Sequence, residues 1–300
     1  MCFNYSILKD IRRLIMSKMK VKDFNLEHTL ECGQIFRINR KNNWYYINAR
    51  DKFFKICQVK NEIEFHGVDE EFIIHFFSLD ENLSKILKEI NKDEYIKKSI
   101  DKYRGLRILR QDPWECLISF ICSTASNIPR IKSKLKALSE SFGKKVSLDG
   151  VGNYAFPEPG NINNYNKIVN AKTGFRAKYI FEANNSVNIK KLNSLSVQSY
   201  ESAKNELKKI NGVGDKVADC VLLFSLGFHQ ALPVDTWIKK TIQLLYFDNT
   251  TVSNEKIRAF GLDYFGTYAG YAQQYLFMFS RNDLGTSDKL QLWKNGMLEE

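Results

Sequence analysis

The feature that most limits what this chain can fold into is a change of pattern near residue 67. Before it, "IFRINRKNNWYYINARDKFFKICQVKNEIEFHG" is dense in Ile, Phe, Tyr and Val. Polar turn candidates break the run at "RKNN", "ARDK" and "VKNE". Such spacing over residues 24 to about 67 predicts an antiparallel meander. From "DEEFIIHFF" onward, apolar residues recur at helical intervals instead. Strands first and helices afterwards predict an α+β fold. An N-terminal antiparallel β-sheet domain is drawn over residues 1–105, and a mostly α-helical domain over 106–300. Residues 1–18 read as a short amphipathic helix or a dispensable extension, with Met19 as a second start. "MCFNYSILKDIRRLIM" does not read as a secretory signal, because Lys9, Asp10, Arg12 and Arg13 interrupt its apolar core.

The helical part is punctuated by strong local signals. Asp112, Pro113 and Glu115 in "DPWECLISFICSTA" mark a helix start, with a capping carboxylate, a proline in the first turn and a glutamate three residues after the cap. "NIPRIKSKLKALSESFG" follows at helical spacing and stops at Gly143. Residues 144–177 read as loop, and helical patterns then resume. No apolar run reaches the roughly 18–20 residues of a spanning helix, so no membrane partner is expected. The six cysteines are scattered without a CxxC pair, which argues against zinc, an iron–sulfur cluster or a disulfide framework and favours reduced thiols in a cytoplasmic protein. A net charge of +11 suits a polyanionic partner.

The chemistry concentrates around "INGVGDK". Gly212 and Gly214 allow a tight turn between two helices, with Ile210 and Val213 tucked inward. Uncovered amides at the start of the second helix can bind a phosphate oxygen without reading sequence. Spacing alone leaves a plain helix joint and a phosphate clamp both open. Lys216 sits in the first turn after the hairpin, where the helix dipole opposes a cation and so favours a neutral, nucleophilic amine. Nineteen residues on, "ALPVDTWIKK" places Asp235 just before an apolar-periodic helix. There it is a candidate N-cap, and a rigid carboxylate able to stabilise a developing cation or relay protons.

The hairpin, its lysine and the Pro-Val-Asp segment together resemble the helix–hairpin–helix DNA glycosylases. The runs "GQIFR", "RGLRILRQDPWECLISFICS", "GVGDKVADCVLLFSL", "QALPVDTW" and "YAGYAQQYLF" resemble the 8-oxoguanine DNA glycosylase branch, in order, from about Phe24 to Phe279. The resemblance implies a bifunctional glycosylase and AP lyase of base excision repair, acting on double-stranded DNA that contains 8-oxoguanine. It implies that the base is flipped out, that Lys216 attacks the sugar C1′ to give a Schiff base, and that β-elimination nicks the strand. By the same resemblance Asp235 supports the cationic transition state. The Gly33 carbonyl would accept from the N7–H that guanine lacks. Phe277 and Cys220 would stack on the two faces of the base, and Gln273 would meet its pyrimidine edge. No cofactor or catalytic metal is implied, although a monovalent cation is expected at the carbonyls around Gly212 and Gly214. Nothing demands more than a monomer, and a bacterial member would work in the cytoplasm with the nucleoid.

Several positions depart from the family pattern. Relatives read the orphaned cytosine with an asparagine, an arginine and a tyrosine–arginine pair. Here those positions hold Ala125, Arg130, Phe175 and Arg176. Ala125 offers no side-chain hydrogen bond, and Phe175 keeps an apolar wedge without the hydroxyl. Relaxed preference for the base opposite the lesion follows. Trp237 stands where vertebrate members carry histidine near a phosphate, and an indole cannot be a cation. Two other readings are a non-catalytic helix–hairpin–helix module and a glycosylase for another damaged base. The Lys216 and Asp235 pair argues against the first, because binding alone does not require it.

Overall fold

The computed structural model describes residues 16–284. An edge strand β1 (Ser17–Lys20) and a short helix α1 (Leu26–Glu31) precede β2 (Ile38–Lys41), β3 (Trp44–Ala49), β4 (Lys52–Val59) and β5 (Glu62–His66). The strands form one antiparallel sheet in the order β1-β5-β4-β3-β2. Period-two patterning explains its faces: Ile63 and Phe65 on β5 are fully buried, while Glu62, Glu64 and His66 between them are partly exposed. Two details differ from the sequence reading. Residues 26–31 are helical, because the Asn25 side chain accepts from the His28 amide at 2.9 Å and caps that turn. Ser17 and Lys18 pair with Phe65 and Glu64, so the segment drawn as an extension to residue 18 includes half of an edge strand. The amphipathic pattern of residues 1–15 lies outside the described residues.

The rest is helical: α2 (Glu70–Phe76), α3 (Leu83–Ile90), α4 (Glu94–Tyr103), α5 (Pro113–Ser123) and α6 (Ile128–Phe142). A small hairpin, β6 (Lys145–Leu148) with β7 (Val151–Tyr154), falls where sequence suggested only loop. Then come α7 (Tyr165–Asn170), α8 (Arg176–Ser186), α9 (Ile189–Ser194), α10 (Tyr200–Lys208), α11 (Asp215–Ser225), α12 (Thr236–Tyr246), α13 (Asn254–Phe265) and α14 (Ala269–Phe279). Among the described residues no helix is long and apolar enough to cross a membrane, and no group of three or more His, Cys, Asp and Glu could hold a metal ion.

The buried side chains fall into two clusters. Phe54, Ile56, Ile63 and Phe65 of the sheet close over Phe76 and Phe77. Leu83, Ile90, Ile96 and Ile100 pack instead with Trp114 and Leu117 in the helical core. Helices α3 and α4 bury their apolar stripes against the helical body; Cys32 and Phe36 also join that core, and Leu109 joins the sheet's, so the two clusters interleave along the chain. A buried ion pair crosses the seam, with Arg37 Nη1 3.0 Å from Glu115 Oε1.

Candidate active site

Helix α5 runs through the middle of the helical core. Asp112 Oδ1 accepts from the Glu115 amide at 2.9 Å, and Pro113 occupies its first turn. Every residue from Trp114 to Cys122 is buried. Helix α11 packs beside it and begins at Gly214. Gly212 has φ +84°, and a Cβ there would meet Tyr179 Cγ at 2.5 Å, so glycine is required. Gly214 differs from the sequence reading: its φ is −94°, open to any residue, and a Cβ there would meet nothing within 4 Å. Val213 is buried, and its amide donates to the Ile210 carbonyl at 3.0 Å. No side chain caps α11, whereas Asp, Asn or Ser caps most of the other helices. The first-turn amides of α11 thus stay free for an outside acceptor. Gly212→Ala is expected to lower stability by about 1–3 kcal/mol through overpacking and left-handed strain. Gly214→Ala is expected to unfold like the parent but to bind duplex DNA about tenfold more weakly, since a methyl there can obstruct only a ligand's approach. Thermal unfolding and fluorescence anisotropy check both.

Lys216 projects into a cleft of about 890 Å³. Gly33, Ala125, Gly212, Gly214, Cys220, Asp235, Trp237, Gln273 and Phe277 line the same cleft, drawn from the sheet-proximal turn and from α11, α12 and α14. Lys216 Nζ donates to Ser123 Oγ at 2.9 Å and lies 5.0 Å from the centre of the Phe120 ring. Asp235 is the N-cap of α12, accepting from the Ile238 amide at 2.8 Å. Among the described residues no ion pair joins it to Lys216, so the amine's direct partner in the free protein is Ser123. Ser123 is the last residue of α5, so the carbonyl end of that helix also meets the amine.

The base-sized end of the cleft is firmly held. Gly33 has φ +81°, and a Cβ there would lie 3.5 Å from Phe277 Cε1. Its turn is fixed from both sides. Gln34 is fully buried, donates to the Arg107 carbonyl at 2.8 Å and accepts from the Leu109 amide at 2.8 Å. Gln274 donates to the Cys32 carbonyl at 2.6 Å. Gln273 is 5% exposed, and its Oε1 is buried without a partner. Cys220 is 2% exposed, and burial pushes its thiol up to about 12, which keeps it neutral.

The four residues expected to face the opposite base separate. Ala125 and Arg130 are exposed, and Phe175 is 59% exposed. Arg176 is 6% exposed and is already engaged: it donates to the Ala125 carbonyl at 3.0 Å, to the Thr173 carbonyl at 3.2 Å and to the Thr124 carbonyl. It braces the turn between α5 and α6, with most of its donors committed to backbone carbonyls in this state. Sequence reasoning missed Ser123, Gln34 and Gln274. The polar Gln34 inside an apolar run was the available signal for one of them; for Ser123 there was none.

The chain that holds this cleft is similar to known proteins along most of its length. The profile of the 8-oxoguanine DNA glycosylase N-terminal domain matches residues 16–117. The N-glycosylase/DNA lyase of Saccharomyces cerevisiae is 30% identical over 87% of this chain and 84% of its own. The Clostridium acetobutylicum 8-oxoguanine glycosylase/lyase, solved with double-stranded DNA containing cytosine opposite 8-oxoG, superposes with a TM-score of 0.82. It is 35% identical, over 91% of this chain and 99% of that one. Its apo form gives 0.80 at 36% identity over 89% and 99% of the two chains. With ordered motifs, sequence identity and fold in agreement, this chain belongs to the 8-oxoguanine DNA glycosylase family of N-glycosylase/DNA lyases.

Proposed function

We propose that the protein excises 8-oxoguanine from duplex DNA and then nicks the strand. The observation that carries this is the shared cleft of Lys216 and the unpartnered Gln273 Oε1. A buried acceptor left open costs about 1–3 kcal/mol. The N1–H and N2–H donors of a guanine-type base would satisfy it. The Gly33 carbonyl suits the N7–H of the oxidised base and repels the N7 lone pair of guanine. The amine of Lys216 forms a bond to C1′ as the C1′–N9 bond breaks, and the base leaves with that electron pair. Asp235, held rigid by its capping bond, offsets the positive charge that grows on the sugar. The ring-opened sugar is then held as an iminium. This acidifies C2′, and loss of a C2′ proton expels the 3′ oxygen. No step calls for a metal or redox cofactor. A monovalent cation at the carbonyls near Gly212 and Gly214 would add a structural tie to the phosphate.

We further propose that the base opposite the lesion is read weakly. Ala125 has φ +46°, a conformation that asparagine tolerates better than alanine, so the turn is shaped for a residue this chain lacks. Single-turnover excision is expected for 8-oxoguanine and not for guanine, at rates within about tenfold opposite C, A, G and T. Ala125→Asn is expected to raise the cytosine preference without loss of stability. No excision of 8-oxoguanine from any pairing would overturn the assignment, and a several-hundredfold cytosine preference in the parent would overturn the relaxed reading.

A further inference from the structure

We propose that Ser123 is a positioning residue that aims the Lys216 amine, a role that rests on the function proposed above. A serine hydroxyl has a single proton. Ser123 Oγ donates to the Phe120 carbonyl at 2.7 Å, one turn back on the same helix. That proton is spent, so toward Lys216 the oxygen has only lone pairs to offer. The 2.9 Å contact therefore has one polarity: nitrogen donates and serine accepts.

This polarity has a geometric result. A neutral amine bound in this way turns an N–H toward Ser123. Its own lone pair, tetrahedral about the nitrogen, must point elsewhere. The Phe120 ring, 5.0 Å from Nζ to the ring centre, and the Cys220 thiol border the amine as well, and beyond them it faces the cleft. The hydroxyl thus selects the rotamer of the nucleophile in which the reactive pair faces the sugar. A hydroxyl free to rotate could instead donate to that pair and quench it. The bond to Phe120 prevents this.

The same acceptor serves along the whole reaction. The ammonium, the amine and the iminium formed on the sugar each carry at least one N–H, so each can keep the bond to Ser123. The ring contact, by contrast, favours only the charged forms. Ser123 therefore holds the nitrogen at one place while its charge and bonding change. Asp235 does not do this in the free protein, because its Oδ1 is engaged by the Ile238 amide and makes no ion pair with the lysine.

The test compares Ser123→Ala and Ser123→Thr with the parent on an 8-oxoguanine duplex. Alanine is the best helix former and suits this last position of α5, so the fold is kept. Ser123→Ala is expected to release base about 10–100-fold more slowly at saturating enzyme, to trap with borohydride at a correspondingly lower rate, and to bind the duplex with unchanged Kd. Threonine, which restores the hydroxyl, is expected to recover most of the rate. Two outcomes overturn the inference: full activity in the alanine variant, or equal loss in both variants. A parent that neither excises nor traps defeats the functional reading instead, and the two failures are thereby told apart.

Discussion

Lys216→Gln is expected to abolish borohydride trapping on an 8-oxoguanine duplex and to slow base release by about 10³-fold or more, because the covalent route disappears with the amine. The substitution keeps length and a polar end, and glutamine can still donate to Ser123. Few of the native contacts are lost: in the free protein Nζ meets the Ser123 hydroxyl, the Phe120 ring and the Cys220 thiol. Melting temperature and DNA affinity should therefore stay close to the parent, which separates loss of chemistry from loss of fold. Trapping that persists in Lys216→Gln would place the nucleophile elsewhere in the chain. Asp235→Asn is a useful contrast. Its cap to Ile238 survives as an amide oxygen, so its loss of rate reports charge at the sugar and not helix stability.

The largest effect on stability is expected one turn below Lys216. Asp219 is fully buried on α11, and its charge is matched by Lys204 of α10, 2.9 Å away and itself 7% exposed. Tyr200 adds a donor at 2.7 Å. Burial pushes the Asp219 carboxyl up, and Lys204 and Tyr200 oppose that rise. Lys204→Met removes the only cation within 4 Å of this carboxylate among the described residues. It is expected to cost about 3–5 kcal/mol, the usual result of stranding one partner of a buried pair. Adding Asp219→Leu should return most of the loss, because the pair's net worth against an apolar replacement is small. Urea unfolding of the single and double variants measures this. A single variant within 1 kcal/mol of the parent would show that solvent reaches the site.

What could be read in the sequence was what local chemistry decides. The Asp112 cap with Pro113, the glycine hairpin and the Asp235 cap each rest on neighbours within four residues, and each sits where the pattern placed it. What escaped was set by distant packing. Leu26–Glu31 fell inside the stretch read as strands, and one Asn25 cap decided for helix. That α3 and α4 pack in the helical core depends on partners on α14, more than 160 positions along the chain. In the cleft, Lys216, Gln273 and Gly33 could be named from motifs, but Ser123 could not, since its importance comes from a helix end that meets another only in three dimensions. Arg176 shows the opposite failure. Its motif suggested a free guanidinium, and the folded chain had already engaged it on three backbone carbonyls.

The bare start of α11 has a consequence for timing. No side chain caps the first-turn amides of Asp215, Lys216 and Val217, so this turn should exchange its hydrogens for deuterium faster than the capped turn at Asp112. A duplex phosphate seated there would slow that exchange. Lys216 is one of the three residues involved, so gripping the strand and quieting the nucleophile's own backbone become a single event. By reciprocity, whatever stiffens this turn should tighten the hold on DNA by the same factor. The search along undamaged duplex and the readiness to react would then be two readings of one local equilibrium.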